Sequence, residues 1–204
     1  MLRPTMTSPT PSVLNRAATE LERIRSVPKH DGVDFPRSCV QILRTLPGNK
    51  TCMDCASPNP EWASVTYGIL VCTRCSGRHR SYGVHTSFVR SITMDAWSHI
   101  QILAMLEGGN GQLKRFFDRH HMGNTSTRYN TKAALFYRSN LSQHVQAVSN
   151  RGVYKGREAS RQEHAQQVKQ QQQHQRQSTA QKQTLEESTT RHLSRQQQQV
   201  IQVQ

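Results

Sequence analysis

Apolar residues recur at helical spacing in five stretches of the chain. In "SVLNRAATELERIRS", Leu14, Ala17, Leu21 and Ile24 fall on one face, which predicts an amphipathic helix ended by Pro28 and Gly32. After Phe35, Val40, Leu43 and Leu46 with Cys39 suit a second helix, stopped by "LPGN", and Cys39 reads there as a small buried apolar group. "SHIQILAMLEGGN" predicts a third helix, with Ser98 as its cap and Gly108-Gly109 as its stop. "GQLKRFFDRHH" and "NTKAALFYRSNLSQHVQAV" predict two more, the second with Ala134, Leu135, Tyr137, Leu141, His144 and Val145 at near-helical spacing. Two stretches read as strands instead. "ASVTYGILVC" alternates Val65, Tyr67, Ile69 and Val71, and "SFVRSITM" is rich in β-branched residues. The turn-rich "ASPNPEW" precedes the first of them.

This pattern divides the chain into three parts. Residues 1–34 are expected to form a poorly ordered leader containing at most one amphipathic helix, 35–148 a folded α+β domain, and 149–204 a Gln-rich low-complexity tail. The tail has runs such as "QVKQQQQHQRQ" and almost no aromatic or large aliphatic residues. It cannot bury enough surface to offset its chain entropy and is expected to stay disordered.

Composition changes the picture in one respect. The 204 residues carry 27 Lys+Arg against 13 Asp+Glu, a formal net charge of +14, which favours an acidic partner such as nucleic acid, anionic lipid or an acidic protein face. From residue 151 onward there are 9 basic and 4 acidic residues. The leader and domain therefore keep 18 against 9 and are basic in their own right. No apolar run reaches membrane-spanning length, and the N-terminal stretch lacks the apolar core of a secretory signal, so a soluble protein of a reducing compartment is expected. Glu20 and Glu22 argue against a transit peptide.

The candidate chemistry lies in the cysteines. Cys52-x-x-Cys55 and Cys72-x-x-Cys75 are two knuckles separated by sixteen residues. That spacing lets four thiolates surround one zinc ion and leaves no open position, which makes the site structural rather than catalytic. An iron–sulfur centre is the alternative. His79 and His85 are expected to be structural or interfacial, because four sulfurs already fill the shell. Arg74, Arg78, His79 and Arg80 crowd beside the second knuckle. They could grip a polyanion, solvate the surface of a metal site, or enter the active site of another protein. "LPGNKT" is not a phosphate-binding loop, since Asn49 stands where the motif requires Gly before Lys.

The stretch from Cys52 to Trp97 resembles the zinc-finger domain of the Arf GTPase-activating proteins. It has C-x2-C-x16-C-x2-C-x4-R, a Trp seven residues after the second Cys, and "GVHTSFVRS" followed by Asp95 and Trp97. "GGN" at 108–110 and "YNTKAALFYR" at 129–138 also fit, and the stretch from "NPEWASVTYGI" through "CSGRHR" to "SFVRSITMDAW" most resembles the Golgi-type subgroup. The resemblance implies a small sheet at a four-cysteine zinc site surrounded by α-helices. It also implies a GTPase-activating function toward GTP-bound Arf-type small GTPases, with Arg80 as arginine finger and Trp62 and Asp95 at positions tied to activity or domain integrity. Arg78 and His85 are further candidates for partner contact. Peripheral recruitment from the cytoplasm to Golgi or vesicle membranes would follow, through an anionic membrane surface, a partner or the GTPase itself. The tail lacks the bulky amphipathic pattern of the curvature-sensing helices in Golgi-type relatives.

Two other readings compete. A basic zinc module could bind nucleic acid, but the spacing does not match the two-Cys, two-His finger. A catalytically silent adaptor could keep the fold, but it would have little reason to present Arg80. On a helix, Arg78 and Arg80 point about 200° apart and are expected to have different jobs.

Overall fold

The computed structural model describes residues 9–28 and 32–201. Residues 1–8 and 29–31 of the leader and the last three of the tail lie outside the described residues.

The leader's apolar stripe forms helix α1 (Pro11–Arg25), and it has something to bury against: Ala17, Leu21 and Ile24 are buried. Helix α2 (Arg37–Thr45) sends Cys39, Ile42 and Leu43 inward from the neighbouring side. Burial pushes the Cys39 thiol up to about 12, so it is inert as a nucleophile. Helix α4 (His99–Glu107) is apolar nearly all round and lies at the centre, as its sequence requires. Its first turn is closed as expected: the Ser98 backbone N–H donates to Gln101 Oε1 at 3.0 Å. Helices α5 (Asn110–Arg119) and α6 (Lys132–Asn150) complete the helical layer, with Leu113, Phe117, Tyr137, Leu141 and Val145 buried. The core continues past Asn150. Tyr154 and Ser160 are buried, Arg25 donates to the Gly152 carbonyl, and Arg157 donates to the Gly108 carbonyl.

The predicted strand "ASVTYGILVC" is two strands. β1 (Trp62–Ser64) and β2 (Ile69–Val71) pair antiparallel around a 3-10 turn at Val65–Tyr67. The turn depends on Gly68, whose φ of 63° no β-branched residue tolerates. A Cβ there would also meet the Ala104 carbonyl oxygen at 2.5 Å. β3 (Val89–Ser91) adds to the other edge of β1, giving the order β2-β1-β3 with Trp62 opposite both Val71 and Ser91. Between β2 and β3 runs helix α3 (Thr73–Ser81). The fold is thus α+β, a three-stranded sheet beside four clustered cysteines and surrounded by helices.

The Gln-rich segment forms helix α7 (Arg157–Ile201), which from residue 161 is a unit of its own. Its described side chains from Ala165 to Lys182 are exposed, so apolar burial contributes little to that stretch.

Candidate functional site

The first knuckle follows a tight turn in which the Cys52 N–H donates to the Ser57 carbonyl at 2.7 Å and the Met53 N–H to the Leu70 carbonyl at 3.0 Å. The second knuckle straddles the start of α3: Cys72 is its N-cap residue and Cys75 lies in its first turn. The four Sγ atoms lie within 4.8 Å of one another. Tetrahedral Zn–S bonds of about 2.3 Å place sulfurs roughly 3.8 Å apart, so the donors fit one zinc ion. Four thiolates close the shell, and the metal supplies a structural pin with no open position for a substrate.

Asn110 braces this pin from behind. Its amide donates to the Thr51 carbonyl at 2.7 Å and to the Leu70 carbonyl at 3.0 Å, while its Oδ1 accepts the Leu70 N–H at 2.7 Å. The approach to the first knuckle, β2 and the start of α5 are thereby tied through one side chain. Asn49 Oδ1 accepts the Asn110 N–H at 2.8 Å and extends the tie to the end of α2. The close approach of Gly108 to Gly68, bonded from the Gly109 N–H to the Gly68 carbonyl at 2.6 Å, explains why "GGN" precedes α5.

Inside the first knuckle, Asp54 organises a buried polar cluster. Its Oδ1 accepts from Arg128 Nη2 at 2.6 Å and from the Tyr129 hydroxyl at 2.6 Å, and its Oδ2 lies 3.1 Å from His79 Nε2. His79 Nδ1 is 2.7 Å from Ser87 Oγ, which in turn is 2.7 Å from Ser64 Oγ. Burial alone would raise the Asp54 pKa, but the bonds from His79, Tyr129 and Arg128 outweigh it and hold the carboxyl well below the usual range. The rings of Tyr67, His79, Tyr82 and Phe117 pack around Tyr129. Helix α3 is therefore fixed at its start by two zinc ligands and along its inner face by His79, which is fully buried.

The outer face of α3 carries the arginines. Arg74, Arg78 and Arg80 are all exposed. Arg78 turns back toward the metal site, its Nη2 donating to Cys75 Sγ at 2.8 Å. Arg80 does something different. Its Cζ sits 4.4 Å over the Trp62 ring, and its nearest polar contact is a long 3.5 Å approach to Ser76 Oγ. Among the described residues no carboxylate pairs with it. Asp95 is engaged elsewhere: its Oδ2 accepts the Ser91 N–H at 2.6 Å and closes the turn after β3. The structure thus brings Arg80 and Trp62 together, gives Asp95 a turn-closing bond, and leaves His85 exposed in the turn between α3 and β3.

Sequence reasoning overlooked Asp54 and Arg128, and quoted Asn110 and Tyr129 only within stretches of resemblance, without a role. The available signal was a carboxylate inside a metal knuckle, which must find compensation if buried. Leu135, expected among the apolar positions of α6, is instead 50% exposed.

Residues 37–144 match the ArfGap family, described as "Putative GTPase activating protein for Arf". The chain is 47% identical over 102 residues to the ADP-ribosylation factor GTPase-activating protein 3 of Macaca fascicularis, covering 48% of this chain and 20% of that relative. It is 41% identical over 103 residues to the ADP-ribosylation factor GTPase-activating protein GCS1 of Saccharomyces cerevisiae, covering 49% of this chain and 29% of that one. The chain thus spans only a fifth to a third of the length of these curated relatives. A crystal structure from Cryptosporidium parvum, of a "putative GTPase activating protein for ADP ribosylation factor", is 34% identical with a TM-score of 0.49, covering 59% of this chain and 98% of that one.

Proposed function

This chain belongs to the ArfGap family, and from that premise we propose that it accelerates GTP hydrolysis by an Arf-type small GTPase, with Arg80 delivered in trans to the nucleotide. One observation carries the role of Arg80: it is an exposed guanidinium, free of any carboxylate among the described residues, on a helix pinned by Cys72 and Cys75. GTP hydrolysis builds negative charge on the phosphoryl oxygens in its transition state, and an arginine supplied by a second protein is worth about 10³–10⁵ in rate. Lysine is a poor substitute, because the planar guanidinium fork binds two phosphate oxygens at once and stays charged.

The surrounding residues divide the remaining work. Trp62 holds Arg80 near its outward position through a cation–π contact that is cheap to leave, about 0.5–1 kcal/mol at an exposed site. Arg78 and His85 add positive or polar surface for the acidic face of a GTP-bound partner. Asp95 keeps the turn beside Trp62 closed. Among the described residues no helix is long and apolar enough to cross a membrane. Peripheral recruitment to Golgi or vesicle membranes, where such GTPases act in coat cycling, completes the proposal.

The test is single-turnover GTP hydrolysis on a panel of Arf-type GTPases, comparing the unaltered protein with Arg80→Lys and Arg80→Ala at matched zinc content. Both variants are expected to lose about 10³-fold or more in rate. Equal rates in all three would remove Arg80 from the mechanism, and no stimulation by the unaltered protein would leave the silent-adaptor reading.

A further inference from the structure

Two large apolar side chains of α6 stand in solvent next to each other, Leu135 at 50% exposure and Phe136 at 59%. The Phe136 ring stacks 6.4 Å from that of Phe116 on α5, and His120 lies 4.4 Å from Phe116. The two helices therefore present an apolar ridge, Leu135 and Phe136 outside with the buried Phe116 ring beneath.

Cations border this ridge. At 100° per residue, Arg115 and Arg119 fall on the flank of α5 next to Phe116, and Lys132 falls between Leu135 and Phe136 on α6. All three are exposed. The one carboxylate of α5, Asp118, falls roughly 160° around the helix from Phe116 and is bound to Lys114 at 2.8 Å. Helix α6 contains no acidic residue at all. A surface that combines exposed large apolar groups with unopposed positive charge is costly to leave bare.

We propose that this α5–α6 ridge is the seat of the domain on an anionic membrane surface. The cations meet lipid headgroup charge while Leu135 and Phe136 enter the boundary between headgroups and acyl chains. The proposal rests on the reading that the protein works at a membrane and is independent of the role of Arg80. The shape of the ridge favours a bilayer over a protein. Leu135 and Phe136 project from a helix and line neither the cavity of about 520 Å³ beside Phe88 and Arg138 nor the one of about 530 Å³ beside Trp97 and His99. A protein partner needs a complementary pocket for such side chains, whereas a fluid surface yields to them.

The test is co-sedimentation of the full, zinc-loaded chain with vesicles of phosphatidylcholine and phosphatidylserine, against vesicles of phosphatidylcholine alone, with no GTPase present. Binding is expected to require phosphatidylserine and to weaken with salt. Leu135→Ser combined with Phe136→Ser should weaken it about tenfold, and Arg115→Gln and Arg119→Gln about fivefold each. All these variants should keep the unaltered rate on a soluble GTPase without vesicles. The proposal is overturned if phosphatidylserine vesicles are not bound, or if the Leu135/Phe136 variant binds them as the unaltered protein does. It is equally overturned if polyglutamate is bound through Phe136 in their place, or if that variant loses activity on the soluble GTPase. A failure of Arg80→Ala to slow hydrolysis would leave the vesicle result untouched.

Discussion

The two sides of this domain are held together by different physics. The helical side, built from α1, α2, α4 and α6, buries apolar stripes such as Leu21, Leu43, Leu103 and Leu141 against one another. The zinc side, from Cys52 to Ser91, has strands of only three residues and, beside apolar residues such as Ile69 and Val71, encloses thiols, an imidazole, hydroxyls and the largely buried Asp54. Apolar packing is graded, so each lost methylene costs a little. A metal shell and a buried charge cluster are all-or-none, because removing one member leaves the others uncompensated. The side that presents Arg80 is the all-or-none side. A buried ion pair adds little net stability over apolar filling, so what the Asp54 cluster contributes is the direction in which α3 points.

The contrast can be broken most severely at the metal. Cys72→Ser, or a strong chelator, is expected to release the zinc and unfold the zinc side, since structural zinc contributes about 10–16 kcal/mol in finger peptides; zinc content with circular dichroism checks it. Next comes Asp54→Asn, which leaves Arg128 buried without its counter-charge and should cost about 3–5 kcal/mol in denaturant unfolding of the zinc-loaded protein. Leu103→Ala on the helical side should cost about 3 kcal/mol while sparing zinc affinity. Equal loss of zinc affinity in the last two variants would erase the distinction.

The smallest effect concerns pH. Burial and the nearby Arg25 push the His99 pKa below its ordinary value. The unfolded chain then takes up that proton first, near pH 6.5. His99 therefore supports the fold fully above that pH, and its contribution is lost as pH falls toward the lower folded value. Thermal melts of the unaltered protein and His99→Gln between neutral and mildly acid pH should diverge in that sense.

What was legible in the sequence followed the same division. Helical stripes announce themselves within a dozen residues, which is why α1, α4 and α6 were readable, and the cysteine spacing is a local signal of equal strength. The β1–β2 hairpin was hidden because Gly68 acts through a single backbone angle and a close approach to α4. The Asp54 cluster was hidden because its members come from positions 54, 64, 79, 87, 128 and 129, and no local pattern joins them. Leu135 misled because periodicity marks an apolar residue without saying which face of the helix it occupies.

The placement of Arg80 over Trp62 has a practical consequence. The protein has two tryptophans, and Trp97 is fully enclosed, so with a partner that lacks tryptophan a change in indole emission on docking is expected chiefly at Trp62. A guanidinium leaving the ring for a phosphate would alter that emission at the moment of departure. If Arg80 acts as proposed, Trp62 would serve as an optical reporter of its departure.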